Sequence, residues 1–126
     1  MLLDEPSTVR VLVCGGRDYN DWDQLAKVLD TVHKMLNIHL LGHGAARGAD
    51  SLADAWAARR GIARVPYKAD WFAHGKAAGP MRNRFMFKEF DPHYAVAFPG
   101  GNGTADMVSI LTAAKVPTLI VKPRGV

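Results

Sequence analysis

Tyr94-Ala95-Val96-Ala97-Phe98-Pro99-Gly100-Gly101-Asn102-Gly103-Thr104-Ala105-Asp106-Met107 is the stretch from which the rest of the chain can be read. It opens as a short apolar run of strand character, breaks at Pro99, and passes through Gly100, Gly101 and Gly103. From about Thr104 to Ala114 it continues with helical periodicity. A buried strand feeding a glycine-rich turn and then a helix aims backbone N–H groups at an anion. Glycine lets the backbone come close and turn sharply, the first N–H groups of a helix have no partner inside it, and the helix dipole adds to the attraction. Pro99, Gly100, Gly101, Asn102, Gly103 and Thr104 are therefore candidate phosphate-binding residues. A tight turn that binds nothing is the alternative reading of the same letters.

Outward from this stretch the pattern repeats. Val9–Cys14 is a β-branched run of the kind buried in a parallel sheet, and Gly15-Gly16-Arg17-Asp18-Tyr19 is its loop. Asn20 or Asp21 caps a helix, with Gln24 completing a capping box from Asp21; Trp22, Leu25, Leu29, Val32 and Leu36 give that helix one apolar face. Ile38–Leu41 is a second strand ending at Gly42-His43-Gly44, and Gly48-Ala49-Asp50 opens a second helix that Gly61 stops. Ile62–Tyr67 is a short third strand, placed near an edge because Pro66 cannot donate to a ladder. Residues 68–79 show no clear period and read as a long, functional loop. Pro80 starts a third helix reaching about Phe90, and Pro117–Val121 is a fifth strand. Alternating strands and helices imply an α/β fold, a Rossmann-like doubly wound parallel sheet of about five strands with helices on both faces. In such sheets ligands sit at the carboxyl ends of the strands where strand order reverses, and every glycine-rich loop falls at such an end.

Composition narrows the field. The 126 residues, 48% of them apolar, suit one domain over residues 9–126 behind a flexible tail over residues 1–8. No run is apolar and long enough to span a bilayer, and the amino terminus lacks the basic start and apolar core of an export signal, so a cytoplasmic location is expected. One cysteine, Cys14, excludes an internal disulfide and a cysteine-based metal cluster, and the five histidines show no metal-ligand spacing, so no metal and no cofactor is expected. A formal charge of +4 permits nucleic acid as a partner without demanding it.

Several side chains could carry chemistry. Arg82 and Arg84 fall in the first turn of the third helix, where cations oppose the dipole unless an anion offsets them; solvated side chains are the alternative. Arg17, directly after Gly15-Gly16, suits a bidentate phosphate contact, and Arg47 lies beside the second helix start. Asp18 and Asp50 either accept from ribose hydroxyls or satisfy loop and helix-start N–H groups. Asp106 either stabilises the fourth helix start or serves as a general acid/base at a sugar. His43 and Cys14 read first as structural. Trp71 and Phe72 either stack on a nucleobase or pin their loop to the core.

Read together, Val11–Tyr19, His43–Asp50, the stretch Gly79-Pro80-Met81-Arg82-Asn83-Arg84-Phe85-Met86, and Pro99–Thr104 resemble the small YspA-related members of the SLOG superfamily. That superfamily also holds the LOG phosphoribohydrolases and the DNA-processing protein DprA. The resemblance spans roughly residues 9–121 and implies a nucleotide or nucleotide-derived phosphorylated ligand over the Pro99–Thr104 turn, bound for sensing or sequestering. Arg17, Arg82, Asn83 and Arg84 would then hold phosphate. It also implies pairing into a homo-oligomer. LOG hydrolases carry a catalytic glutamate three residues after the threonine of the Gly-Thr pair; here that position is Met107. Asp106 lies one residue early and about 100° round the helix. Hydrolysis of the N-glycosidic bond in a nucleoside 5′-monophosphate, with Asp106 or Asp18 as carboxylate and Arg84 on the phosphate, is thus the alternative to binding. DprA-like binding of single-stranded DNA is a further one.

Overall fold

The computed structural model describes residues 8–125, so the tail expected over residues 1–8 lies, apart from Thr8, outside the described residues. Five strands, β1 (Arg10–Cys14), β2 (Leu40–His43), β3 (Ala63–Pro66), β4 (Tyr94–Ala97) and β5 (Thr118–Ile120), form one parallel sheet in the order β3-β2-β1-β4-β5. β1 is central and paired on both sides, Val11 with Leu41 and with Tyr94, Leu12 with Gly42 and with Ala95. Its run of apolar residues follows from that position, since both faces are covered. Val11 and Val13 meet Leu25, Leu29 and Val32 of helix α1 (Trp22–Leu36) and Ala53, Trp56 and Ala57 of α2 (Ala49–Arg59). Leu12 and Cys14 face the other way, onto Met86 and Phe90 of α4 (Ala78–Phe90) and Met107 and Leu111 of α5 (Asn102–Ala113). A four-residue helix, α3 (Trp71–His74), and a 3-10 turn (Gly75–Ala77) precede α4.

The chain lays down β1, β2 and β3 outward in one direction, then returns through α4 to place β4 on the opposite side of β1. Strand order therefore reverses between β1 and β4, where the loops leaving two adjacent strands diverge and open a crevice. This is the doubly wound α/β sheet that the alternation predicts, with β3 and its Pro66 at one edge.

β1, β3 and β5 are each a residue shorter at one or both ends than the sequence reading, and four features differ by more. β2 starts at Leu40 rather than Ile38, because Asn37 closes α1 in the left-handed region (φ 56°) and the Ile38 N–H is taken by His33 Nδ1 at 3.0 Å. Residues 68–79 are largely helical rather than a loop: Asp70 Oδ1 accepts the Ala73 N–H at 3.0 Å and starts one turn, too short to show a period. α4 consequently begins at Ala78, two residues before Pro80, which moves Arg82 and Arg84 out of the first turn. α5 begins at Asn102, so Gly103 and Thr104 are inside its first turn.

Candidate functional site

At the reversal point a cavity of about 480 Å³ opens at the carboxyl ends of the strands. Its floor is apolar, formed by Cys14, Met86 and Met107. Its rim is polar. On one side stand Gly15, Gly16 and Arg17 from the loop after β1; on the other stand Gly101, Asn102, Gly103 and Thr104 from the start of α5. Gly44 comes from the β2–α2 connection and Asp50 from the first turn of α2, and Trp71 and Lys76 close the mouth from the segment before α4.

The glycines divide into two groups. Gly16 and Gly100 hold two loops together: the Gly16 N–H donates to Pro99 O at 2.8 Å, and a Cβ on Gly16 would lie 2.9 Å from both Gly100 Cα and Pro99 O. Gly101 and Gly103 face open space on their Cβ side, where no heavy atom outside their own helix and chain neighbours lies within 4 Å. No side chain caps α5 at Gly101, so its first N–H groups are left to whatever enters the cavity. Arg17 rests its guanidinium on the Trp71 ring, 4.7 Å from the centroid, and Lys76 adds a second cation. Uncapped amides, the helix dipole and these two cations favour an anion at this end of the cavity, with the Asp106 carboxylate on its edge opposing them.

Arg82 and Asn83 build the wall. Arg82 Nη1 donates to Gly44 O and to Tyr67 O at 3.2 Å, tying together the ends of β2 and β3. Burial pushes its guanidinium below its usual value, and the neighbouring Asp50 charge opposes that shift. Asn83, 4% exposed, accepts from Arg82 Nε at 3.0 Å and donates through Nδ2 to Gly103 O at 3.2 Å and Asp106 Oδ2 at 2.9 Å. It thereby locks α4 to the first turn of α5 and fixes the Asp106 carboxylate on the cavity edge.

Asp50 is 5% exposed, and its Oδ2 accepts the Gly44 N–H at 3.1 Å and the Ala46 N–H at 3.3 Å. Its Oδ1 is buried with no partner. Burial lifts its carboxyl above the ordinary carboxylate range, against the lowering by the Ala46 N–H, His43, Arg82 and the Gly44 N–H. Between the ordinary and the raised value the folded chain holds the extra proton, so stability falls as pH rises through that window and the cost is complete above it. Asp50→Asn removes the cost. Its melting temperature is expected to exceed that of the native chain at about pH 7.5, by a margin that shrinks as pH falls towards the usual aspartate value of about 4. A margin independent of pH in parallel melts of the two proteins would contradict this.

Other candidate residues fall outside the cavity. Arg84 is exposed on α4 and Arg47 sits 3.5 Å from Asp18, both side chains in solvent. Pro99 and Gly100 line a neighbouring groove. His43 is structural: Nδ1 accepts the Ala45 N–H at 3.0 Å, which leaves Nε2 to donate to Asp54 at 2.9 Å. The Cys14 thiol is pushed up to about 12 by burial and by Asp50, with Arg82 opposing. It is a packing group in the floor rather than a nucleophile. Phe72 is fully exposed and not part of the lining, whereas Trp71 is. Lys76 was hidden in the aperiodic stretch, where only its charge could have marked it.

No helix among the described residues is long and apolar enough to cross a membrane. The chain is 36% identical over 121 residues to "Gene 61 protein" of Mycobacterium phage D29, a match covering 87% of this chain and 94% of that protein. Among solved structures it overlaps a muconate lactonizing enzyme from Mucobacterium Smegmatis at a TM-score of 0.34 and 10% identity, over 90% of this chain but only 46% of that one, a likeness from which nothing follows. Residues 9–74, which carry the β1 loop, the β2–α2 connection and Trp71, match the model of one family directly. The chain belongs to the YspA, cpYpsA-related SLOG family.

Proposed function

We propose that this protein binds a nucleotide or nucleotide-derived phosphorylated ligand, to sense or sequester it, at the carboxyl-end edge of its sheet. One observation carries the reading: the uncapped start of α5, bare at Gly101 and Gly103, opens onto a cavity that Arg17 and Lys76 share. The phosphate sits against those amides. Asp50 Oδ1, buried and unpartnered, takes a hydroxyl or amino donor of the ligand. Trp71, 46% exposed at the mouth, offers a face for the base. A volume of about 480 Å³ is in the range of small-molecule sites, and family membership points to nucleotide-related ligands.

A thermal-shift panel of nucleotides at fixed salt tests this. A ligand at one hundred times its dissociation constant stabilises by about 2.7 kcal/mol, and Arg17→Ala is expected to weaken its binding at least about tenfold through loss of a charge-assisted contact. No shift with any nucleotide, or an Arg17→Ala affinity equal to the native one, contradicts the reading. Asp106, held on the cavity edge by Asn83, favours N-glycosidic hydrolysis as a second reading. Free base released from a bound monophosphate, and no longer released by Asp106→Ala, would establish it. Met107 weighs against it, since a thioether in the floor cannot activate water.

A further inference from the structure

Beyond the Gly16–Pro99 contact lies a second groove, of about 520 Å³, between the start of α1 and the ends of β4 and β5. Its walls are braced. Arg124 holds the Asp21 carboxylate with two hydrogen bonds of 2.7 and 2.8 Å, across 103 residues of sequence. Gln24 accepts from the Tyr19 hydroxyl at 2.7 Å and donates to Lys122 O at 2.8 Å, and the Tyr19 ring lies 5.3 Å from that of Phe98. Gly16, Arg17 and Gly101 line both this groove and the first cavity. The ridge between the two is the contact of Gly16 with Pro99 and Gly100, main chain packed on main chain, where a Cβ on Gly16 would strike Gly100 Cα and Pro99 O.

We propose that the two grooves are halves of one site, and that the ligand is a diphosphate-bridged molecule with a nucleotide in the first groove and a second polar lobe, a sugar or nucleoside, in the other. This rests on the nucleotide reading above. Charge is distributed to suit it. The shared rim carries the positive features, the Arg17 guanidinium and the free amides at the start of α5, so the diphosphate belongs there. The second groove carries Asp18, Asn20 and Gln24, with the Asp21 charge already matched by Arg124. With both carboxylates paired, Asp18 to Arg47 and Asp21 to Arg124, the groove has no surplus positive charge for a further anion and suits hydroxyl and amino groups. The second lobe is therefore uncharged.

Titration calorimetry at fixed salt would compare AMP, GMP, CMP and UMP with the symmetrical dinucleoside 5′,5′-diphosphates of the same bases. For the base that binds, the dinucleoside is expected to bind at least about tenfold more tightly, because its second lobe engages at high effective concentration. Asn20→Trp fills the second groove from an exposed position. It is expected to abolish that gain and leave the monophosphate affinity unchanged, and Asp18→Trp does the same from a side chain 97% exposed. Circular dichroism would confirm that both variants fold. Equal affinities for the two ligand types, or a gain that survives both variants, overturns the two-lobed ligand and leaves the nucleotide reading intact. Failure of every one of these probes to bind removes both.

Discussion

Gly48→Ala is expected to destabilise the fold by about 4 kcal/mol, the sum of strain at a left-handed backbone and an unavoidable clash. Gly48 caps α2 at φ +81°, and a Cβ there would lie 2.2 Å from Gly16 O and 2.6 Å from the Arg17 carbonyl carbon. Neither atom can step aside. Gly16 O accepts the Ala49 N–H at 3.1 Å, and the Gly16 N–H is committed to Pro99 O. Relieving the clash would pull the β1 loop off α2 and β4 together. Urea melts of the two proteins measure the effect, and a loss under about 1 kcal/mol would show that the loops can part far enough to admit a methyl group. Gly103→Ala is the control with opposite logic. No heavy atom lies within 4 Å of its Cβ position, and the residue is inside a helix, so stability stays level or rises by up to about 1 kcal/mol. Nucleotide affinity falls because the methyl group occupies the space the ligand needs.

The second large effect falls on Asn83. Asn83→Ala is expected to cost about 2 kcal/mol, since it leaves Arg82 Nε short of an acceptor and strips a donor from Gly103 O and from Asp106 Oδ2 in part-buried contacts. Because Asn83 joins α4 to the first turn of α5, the same change should loosen the cavity wall. Ligand binding is expected to weaken beyond what partial unfolding explains, measured well below the melting temperature. Unchanged stability would mean that water replaces the side chain without loss, and that the wall is held by the apolar cluster containing Met86 and Met107 alone.

Much of this was legible in the sequence because it depends on neighbours close along the chain. The buried runs of β1 and β4 declared a sheet covered on both faces. Half of the Asp21–Gln24 capping box formed, with Asp21 Oδ1 accepting the Gln24 N–H at 3.1 Å, while the Gln24 side chain turns to the Tyr19 hydroxyl and Lys122 O instead of reaching back to the Asp21 N–H. What stayed hidden depends on residues that meet only after folding. Gly16 and Gly103 carry the same letter, yet one is crowded by a loop more than eighty residues away and the other faces open space. Arg82 and Arg84 looked equivalent, but two residues on a helix are separated by about 200°, and Arg82 alone faces the cavity. The phase of α4 was set by the turn that Asp70 nucleates, in a stretch with no period to read. The orphaned Asp50 Oδ1 was equally invisible, because the short distance from Asp50 to Gly44 and Ala46 explains its Oδ2 but says nothing about its other oxygen.

Everything proposed for this site depends on phosphate docking on the bare amides at the start of α5. Amide chemical shifts followed by NMR while a nucleoside 5′-diphosphate is added address it residue by residue. The largest saturable shifts are expected at Gly101, Asn102, Gly103 and Thr104, with the Arg17 side chain moving in step. Those four amides standing still while signals elsewhere on the chain respond, or no amide responding at all, would contradict it.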